Sequence, residues 1–415
     1  MIESSARTVL KNASIKNASI EESCAAATSA RVALSSEIVP TAKAAGRILA
    51  TDVMASFDFP PFTSSAMDGF AVRAAAFRAG TKLRVIGESR AGVPFNGELG
   101  EGEAVAISTG AALPSGADAV VPQEHTVASA GSVQPVIDVD SGAHIRVAGR
   151  YKRAGEPVVV GGVRIAAGEI AALAACGFDS VKCVARPRVT IIVGGDELTT
   201  PGRPRVATGT YDSNSPMISA LLERFGARPT TEAYRADDPQ SITELLARAV
   251  AQSDIVVTCG GISVGRHDHV GAAIDALDGR HIVNGTAARP GRRFVLASIA
   301  RDDREVPVFA LPGNPLSAFV CGVLYLRRCV LASLGTSPPV RGQALLASAL
   351  VPDRQLHKLM PVHLCRDQLI ATAAPAELGS DAALSLVGCD ALAFIPPTTG
   401  IAQRGQQIEC ETFDG

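Results

Sequence analysis

The fold is decided by the apolar stretch "RVTIIVGG" at residues 188–195 and by two similar stretches that follow it. These are "DIVVTCGG" at residues 254–261 and "VPVFALPG" at residues 306–313, and each ends in glycine. Continuous apolar runs of this length are typical of strands buried on both faces, and amphipathic helix patterns lie between them. The alternation predicts a doubly wound α/β domain with a parallel sheet over residues 187–336.

The carboxyl ends of these strands are where ligands bind in an open α/β sheet. Glycines let backbone N–H groups approach an anion closely, and the positive end of the following helix adds to the attraction. We therefore expect a nucleotide or pterin phosphate at this edge. Each motif alone is also explained as an ordinary turn or helix start. The prediction of a phosphate site therefore rests on the three strand ends taken together. The residues concerned are Gly260, Gly261, Ser263, Pro312, Gly313 and Pro315.

Three carboxylates are predicted near the same edge of the sheet: Glu197, Asp237 and Asp268. Carboxylate and phosphate oxygens together are ligands that suit Mg²⁺. Two alternatives remain open. Asp237 is also explained as a solvated neighbour of the Asp238 helix cap, and the histidines beside Asp268 are also explained as surface residues.

The remainder of the chain divides into further predicted regions. Residues 19–54 and 150–186 form a split helical and β domain, with helices over about residues 21–52. Residues 55–149 form an inserted β-rich domain with many glycine and proline turns. Residues 337–415 form a C-terminal β domain of the barrel type. Residues 1–18, which include most of the duplicated "KNASI", are predicted to be a mobile tail before a capping box at Ser19 and Glu22.

The composition excludes several classes of protein. Lys plus Arg (39) nearly balance Asp plus Glu (41) in 415 residues, so we expect no nucleic-acid partner and no acidic membrane partner. The nine cysteines follow no metal-finger spacing and indicate reduced thiols. The longest apolar run, residues 316–326, is too short to span a bilayer, and no signal-peptide core is expected. These features predict a cytoplasmic protein.

A second stretch, "SSAMDGFAV" at residues 64–72, poses a question of its own. Asp68-Gly69 is an ordinary turn signal between two apolar runs. A turn needs only those two residues, yet Ser64, Ser65 and Met67 stand before it. The stretch is either a hairpin tip or a loop that holds one carboxylate in place.

The ordered motifs of the chain resemble the molybdopterin molybdenumtransferases, the family that includes the E domain of gephyrin. The resemblance rests on "PPFTSSAMDGFAV", "STGAALPSGADAVVPQE", "GGDELTTPG", "YDSN", "DDP", "GGISVG", "RPGRRF" and "LPGNPLSA". It implies a multidomain α/β protein whose doubly wound domain is MogA-like, and a homodimer with its active site at the subunit interface. It also implies the substrates, which are adenylylated molybdopterin and molybdate, and the use of Mg²⁺ with release of AMP. Other molybdenum-cofactor biosynthesis proteins are possible partners.

The resemblance assigns roles to residues at matching motif positions. It implies that Asp68, Glu197, Asp237 and Asp268 act in catalysis, with Asp68, Glu197 and Asp268 as metal ligands. Thr109 is implied in substrate binding, together with the glycine and proline loops already named. Arg289 and Arg292 stand where the family has the lysines of Lys-Pro-Gly-Lys-Pro, and guanidinium groups grip phosphate or molybdate well.

The sequence departs from the family pattern at several positions. Tyr151 stands where the family has an active-site aspartate, Gly285 where it has a lysine, and Gly194 where it has threonine or serine. Two interpretations follow. The chain is a working but divergent transferase, in which Arg150 also holds substrate, or it is a non-catalytic paralogue that binds molybdopterin or molybdate as a carrier or scaffold. The four acids favour the first interpretation.

Overall fold

The chain forms two compact units in a computed structural model that describes residues 14–234, 239–261, 269–365, 371–375, 383–398 and 400–413. The large unit comprises Met1–Glu37 and Val184–Gly415, and the small unit comprises Ile38–Cys183. Each unit has its own sheets and its own hydrophobic core.

The strands are short and numerous, as the many glycines and prolines of the chain predict. In chain order they are β1 Ile15–Ala18, β2 Ser36–Pro40, β3 Val53–Met54, β4 Ser64–Ser65, β5 Gly69–Val72, β6 Leu83–Ser89, β7 Glu103–Ile107, β8 Ala119–Pro122, β9 Thr126–Ser129, β10 Ser132–Pro135, β11 Ile145–Arg146, β12 Pro157–Val159, β13 Ser180–Val184, β14 Arg188–Gly194, β15 Leu198–Thr199, β16 Thr210–Tyr211, β17 Arg228–Tyr234, β18 Ile255–Cys259, β19 Arg280–Thr286, β20 Ala288–Arg289, β21 Val295–Arg301, β22 Arg304–Leu311, β23 Gly342–Leu346, β24 His357–Cys365, β25 Ala371–Pro375, β26 Ala391–Ile395 and β27 Gln407–Thr412.

The helices lie mainly in the large unit. They are α1 Ile20–Ser29, α2 Ala167–Ala175, α3 Asn214–Phe225, α4 Pro239–Gln252, α5 His269–Ala276, α6 Pro315–Cys321 and α7 Arg327–Ser333, and a π-helical segment, Gly322–Leu326, joins the last two. The capping box predicted for α1 is present, because Ser19 Oγ accepts from Glu22 N at 3.0 Å and Ser19 N donates to Glu22 Oε2 at 2.8 Å.

The main sheet of the large unit has seven strands in the order β1-β19-β21-β22-β18-β14-β17. The strands β17, β14, β18 and β22 are parallel, as the apolar runs predict. The prediction of a parallel sheet is correct only for these four strands, because β21 pairs antiparallel with both β22 and β19. The two residues between Arg301 and Arg304 are too few for a crossover, so β21 and β22 form a hairpin.

The first described residues also differ from expectation. Ile15–Ala18 form β1, which pairs parallel with β19 at the edge of the main sheet, so the predicted mobile tail does not extend to residue 18.

The prediction of helices over residues 21–52 is correct only for α1, since β2 and a single 3-10 turn, Thr41–Lys43, follow it. The alternation of exposed and buried side chains in Ser36–Pro40 suits a strand better than a helix.

A second sheet of the large unit contains its C-terminal strands, in the order β20-β24-β25-β23-β27-β26. Strand β24 also pairs with β26, so five of these strands close into a ring. Arg328 of α7 holds the ring against the helices, since its guanidinium donates to both oxygens of Glu411 in β27 at 3.0 and 2.6 Å.

The helix that runs from Pro315 to Ser333 has the length and apolar composition of a membrane span, which is longer than the run seen in the sequence. It is 89% buried inside the protein, as expected for a core helix.

The small unit is built on a six-stranded sheet in the order β8-β5-β7-β6-β10-β9, with two-stranded ribbons β11-β4 and β12-β3. Its core includes Val72, Leu83 and Val121. Strand β5 lies between β8 and β7, and this arrangement places the loop before β5 beside the loop after β7.

Candidate active site

In the small unit, Asp68 and Thr109 are in direct contact. Asp68 precedes β5 and Thr109 follows β7, and Gly69 of β5 pairs with Ile107 of β7. Asp68 Oδ1 accepts from the Thr109 backbone N–H at 2.6 Å and from the Thr109 hydroxyl at 2.9 Å. These two bonds hold the pKa of the exposed Asp68 carboxyl below its usual range, because both stabilise its charged form.

The serines before Asp68 fix the shape of its loop. Ser65 Oγ donates to Met67 O at 2.5 Å, and Ser65 N and O bond to the backbone of Ala111 and Gly110. Ser64 and Ser65 form β4, which pairs with β11. The loop is therefore tied on both sides, and it presents the Asp68 carboxylate in one orientation rather than forming a free hairpin tip.

In the large unit, three strand tips converge as the sequence predicts. An ideal Cβ placed on Gly260, after β18, would lie 3.7 Å from Gly194 O and 4.0 Å from Gly313 Cα. Gly194 ends β14, and Gly313 follows β22 by two residues. With hydrogen in place of three side chains, the backbones of these tips approach one another closely.

Asn214, the first residue of α3, supports the tip of β22. It is 8% exposed, and its side-chain amide donates to Gly313 O at 2.8 Å. The other polar atom of its side chain, Oδ1, is buried and has no hydrogen-bond partner in the part of the chain that the structure describes. A buried acceptor of this kind is costly unless a ligand or water donates to it.

Tyr234, at the end of β17, covers the tip of β14. An ideal Cβ on Gly194 would lie 2.3 Å from the Cε1 and Cζ atoms of the Tyr234 ring. A serine or threonine at position 194, as in the family pattern, would collide with this ring. The departure at Gly194 is thus matched by an aromatic ring that occupies the same space.

A cavity of about 580 Å³ adjoins the tip of β22. It brings the predicted Arg289, Arg292, Pro312 and Gly313 together; Pro290, Gly291, Arg293, Asn314, Ser317 and Leu356 complete its wall. Pro315 lies one residue further on, as the first residue of α6, and Asn314 Oδ1 caps that helix by accepting from Ser317 N at 3.1 Å. A volume of this size is typical of small-molecule sites, which range from about 300 to 1,000 Å³.

A second cavity of about 440 Å³ shares Arg289 and Pro290 with the first. Asp353 also lines it, and its carboxylate lies 3.8 Å from the Arg289 guanidinium. Backbone N–H groups of Gln355 and Leu356 donate to Asp353 and lower its pKa, with a smaller contribution from Arg289. The exposed Arg289 is therefore oriented only weakly and keeps its charge available to a ligand.

Of the remaining predicted acids, Glu197 alone lies within the described residues. Glu197 is exposed just after β14, and its carboxylate folds back toward Gly195, whose ideal Cβ would lie 2.4 Å from Glu197 Oε2. Asp237, Asp268 and Ser263 lie outside the described residues. Within the described ranges, no group of three or more His, Cys, Asp or Glu side chains is arranged to hold a metal ion.

The departure from the family pattern at Gly285 has a structural reason. Gly285 has φ +84°, and an ideal Cβ there would lie 3.3 Å from both Arg292 O and Asn17 Oδ1. A lysine at this position would be strained, because β1 lies beside it. Tyr151 is 56% exposed, and its ring centroid lies 6.3 Å from that of Phe59.

Sequence reasoning missed three residues of this region. These are Tyr234, Asn214 and Arg293. The last two belong to the motifs "YDSN" and "RPGRRF", which by themselves assign them no role. The available signal was the glycine at position 194, since a missing side chain in a packed strand implies that a neighbour fills its volume.

Comparison with known proteins gives consistent results along the chain. Residues 18–177 match the family described as MoeA N-terminal region (domain I and II), and residues 190–331 match the probable molybdopterin binding domain. A Nostoc sp. protein named molybdopterin molybdenumtransferase is 36% identical over 290 residues, which cover 68% of this chain and 66% of that protein. A Mycobacterium tuberculosis protein named molybdopterin molybdenumtransferase 2 is 33% identical over 328 residues, covering 76% and 80%.

Solved structures agree with the sequence relatives. The crystal structure of a molybdopterin biosynthesis moea protein from Pyrococcus horikosii superposes with a TM-score of 0.82 at 30% sequence identity. The superposition covers 96% of this chain and 99% of that structure.

Proposed function

Because the chain belongs to the molybdopterin molybdenumtransferase family, we propose that it inserts molybdate into adenylylated molybdopterin with Mg²⁺-dependent release of AMP. The chain is a transferase of molybdenum-cofactor biosynthesis. The finer proposal concerns the reacting form of the pterin, the metal and the residues that act on them.

The observation that carries the proposal is the meeting of glycine strand tips and cations in the large unit. Gly313 lines a cavity whose wall includes Arg289 and Arg292, and Gly260 lies beside both Gly313 and Gly194. A diphosphate carries several negative charges, and splitting it requires those charges to be offset while the reacting atoms are held in place. Backbone N–H groups and guanidinium groups can offset the negative charge of the diphosphate and hold it in place.

Four acids are proposed to act on the reacting centre: Asp68, Glu197, Asp237 and Asp268. Asp68 is the one whose state is clearest, because its two hydrogen bonds from Thr109 favour its charged form and lower its pKa. An ionised carboxylate attracts a cation or orients a nucleophile, and a protonated carboxyl does neither well. Thr109, Gly261, Ser263, Pro312 and Pro315 are proposed to shape the substrate site.

The donor chemistry of the proposed metal ligands, Asp68, Glu197 and Asp268, fits Mg²⁺, because carboxylate oxygens are hard ligands. When bound, the ion would supply positive charge to the phosphate oxygens. Glu197 is exposed near the strand tips and is able to offer its carboxylate there.

The test is molybdate-dependent AMP release by the purified full chain from adenylylated molybdopterin, with and without Mg²⁺. We expect AMP to form only when molybdate, Mg²⁺ and protein are all present. Tight binding of adenylylated molybdopterin without any AMP release would contradict the proposed activity.

A specific observation favours a second candidate function, that of a non-catalytic carrier or scaffold. Tyr151 and Gly285 stand in place of an acid and a base of the family pattern, and the φ of +84° at Gly285 disfavours a return to lysine. Under this alternative, the protein would bind molybdopterin or molybdate without turnover. The AMP-release assay separates the two functions.

We further propose that the protein acts as a cytoplasmic homodimer with its active site at the subunit interface. Exposed apolar side chains of the small unit, Phe57, Phe62, Met67 and Tyr151, support the existence of a protein interface there. Other molybdenum-cofactor biosynthesis proteins are proposed partners.

The finer domain plan is also a proposal. It divides the chain into residues 19–54 with 150–186, residues 55–149, residues 187–336 and residues 337–415. The separate sheet of residues 69–135 supports the second of these divisions, and the ring of strands between residues 342 and 412 supports the fourth, although β20 of the third division also pairs with that ring.

A further inference from the structure

Three arginines share the wall of the larger cavity: Arg289, Arg292 and Arg293. The other residues that line it are uncharged, so no carboxylate among the described residues belongs to this wall. Arginines that face one cavity without an acid repel one another, and a bound anion relieves this repulsion. The wall therefore favours a ligand with several negative charges.

Arg292 and Arg293 have their charge available to such a ligand. Both are exposed, and neither side chain has a hydrogen bond or an ion pair within the ranges that the structure describes. Arg289 differs, because its guanidinium lies 3.8 Å from the Asp353 carboxylate. Two of the three cations are thus not neutralised by any described residue.

The backbone that carries Arg293 is fixed by the core of the large unit. Phe294 N donates to Gly291 O at 3.0 Å and closes the turn. The Phe294 side chain is fully buried and stacks on Tyr325 with 4.4 Å between the ring centroids. Because the turn is already ordered, an anion that binds there needs to immobilise only arginine side chains.

Arg293 also lies close to a position where a cation of the family pattern is missing. Gly285 stands in place of a lysine, and its N–H donates to Phe294 O, one residue after Arg293, at 2.9 Å. Arg293 itself stands where the Lys-Pro-Gly-Lys-Pro pattern has its second proline. The chain thus lacks one cation on β19 and gains another on the adjacent turn.

We propose that Arg293 is a substrate-binding residue of this chain and that, with Arg289 and Arg292, it holds an oxyanion with at least two negative charges. The identification of this oxyanion as the diphosphate of adenylylated molybdopterin rests on the proposed function. A guanidinium group donates two parallel hydrogen bonds to a phosphate group, and such bonds are stronger than bonds between neutral groups. Arg293 supplies the charge that a lysine at position 285 would otherwise supply.

A solvated surface arginine is the competing explanation. Under this explanation, Arg293 attracts an anion only through the net charge of the protein, and any other exposed arginine of the unit contributes equally. Arg404 provides the comparison, because it is exposed, belongs to the same unit and lies outside the wall of the cavity.

The experiment measures the binding of inorganic pyrophosphate to the purified full chain by calorimetry at physiological ionic strength. For Arg293→Gln we expect the affinity to fall about tenfold, because hydrogen bonds between charged groups are lost. Arg404→Gln is the matched control, since it changes the net charge by the same amount. It should bind pyrophosphate as the wild type does.

Three outcomes would overturn the inference. The first is an unchanged pyrophosphate affinity in Arg293→Gln. The second is an equal loss of affinity in Arg293→Gln and Arg404→Gln, which indicates that net charge alone attracts the anion. The third is a wild-type chain that does not bind pyrophosphate.

The inference and the proposed function can fail separately. If the wild type releases no AMP but Arg293→Gln selectively weakens pyrophosphate binding, the proposed function fails and the role of Arg293 in anion binding stands. If AMP is released and Arg293→Gln binds pyrophosphate normally, the reverse holds.

Discussion

At the scale of single residues, the clearest feature of the candidate site is the hydrogen-bonded contact between Asp68 and Thr109. Two hydrogen bonds to one carboxylate oxygen lower the pKa of Asp68 although the side chain is exposed. The group is therefore ionised over a wider range of pH than an ordinary aspartate. Activity that needs this carboxylate should persist as pH falls, and it should be lost only when pH falls through the lowered pKa.

Thr109→Val tests this assignment. The change removes the hydroxyl donor and keeps the backbone N–H, so the pKa of Asp68 should rise. We expect the acidic limb of the AMP-release profile to move to higher pH, with a change of less than about threefold near pH 7.5. The measurement is the rate of AMP release as a function of pH.

Thr126→Val serves as the control for that experiment, because the Thr126 hydroxyl donates only to the backbone oxygen of Gln123 among its described contacts. Its profile should coincide with that of the wild type. An acidic limb that stays in place in Thr109→Val would mean that the charge of Asp68 does not limit the reaction.

At the scale of elements, Glu411 links α7 to the C-terminal strands through buried ion pairs with Arg328 and, at 4.0 Å, with Arg327. Glu411 is 0% exposed and accepts two hydrogen bonds from Arg328, while Arg327 donates to Thr412 O at 2.7 Å. Removing one member of such a pair leaves a buried charge without compensation. The helix and the ring of strands are thus coupled by charge as well as by apolar packing.

Glu411→Ala should lower the free energy of unfolding by about 3–5 kcal/mol, since it leaves Arg328 buried and unpaired with a carboxylate. The measurement is chemical denaturation of the full chain followed by circular dichroism. Arg248→Ala removes an exposed pair with Glu232 in the same unit and should cost less than about 1 kcal/mol. Equal costs for the two variants would show that the buried pair has no special role.

At the scale of the whole molecule, the proposed homodimer makes a prediction about shared active sites. Asp68→Ala and Glu197→Ala should each abolish AMP release alone. If one subunit supplies Asp68 and its partner supplies Glu197, random mixing of the two variants should restore about a quarter of wild-type activity. Half of the dimers are then mixed, and each mixed dimer has one intact site.

The measurement mixes the two variants after reversible dissociation and follows AMP release, with sedimentation to confirm dimers. Mixing each variant with itself is the control. No recovery in verified mixed dimers would mean that both acids act from the same subunit or that they are not part of one site.

The sequence by itself determined the features that depend on neighbours along the chain. The apolar runs of β14, β18 and β22, the glycines at their ends and the Ser19 capping box are local patterns, because strand burial, turn formation and helix capping involve residues only a few positions apart. The ordered motifs also sufficed to indicate the family. Local patterns cannot report which strand lies beside which.

Only the tertiary structure decided the features that depend on contacts between distant residues. These include the pairing of β1 with β19, the antiparallel hairpin of β21 and β22, and the Tyr234 ring over Gly194. The pairing of β1 with β19 and the contact of Tyr234 with Gly194 join residues that are 40 or more positions apart, and they depend on matching hydrogen bonds or volumes. The direction of β21 depends on the length of the turn that joins it to β22. Packing is non-local, so a one-dimensional pattern fixes the elements of this protein but leaves open which residues meet at its site.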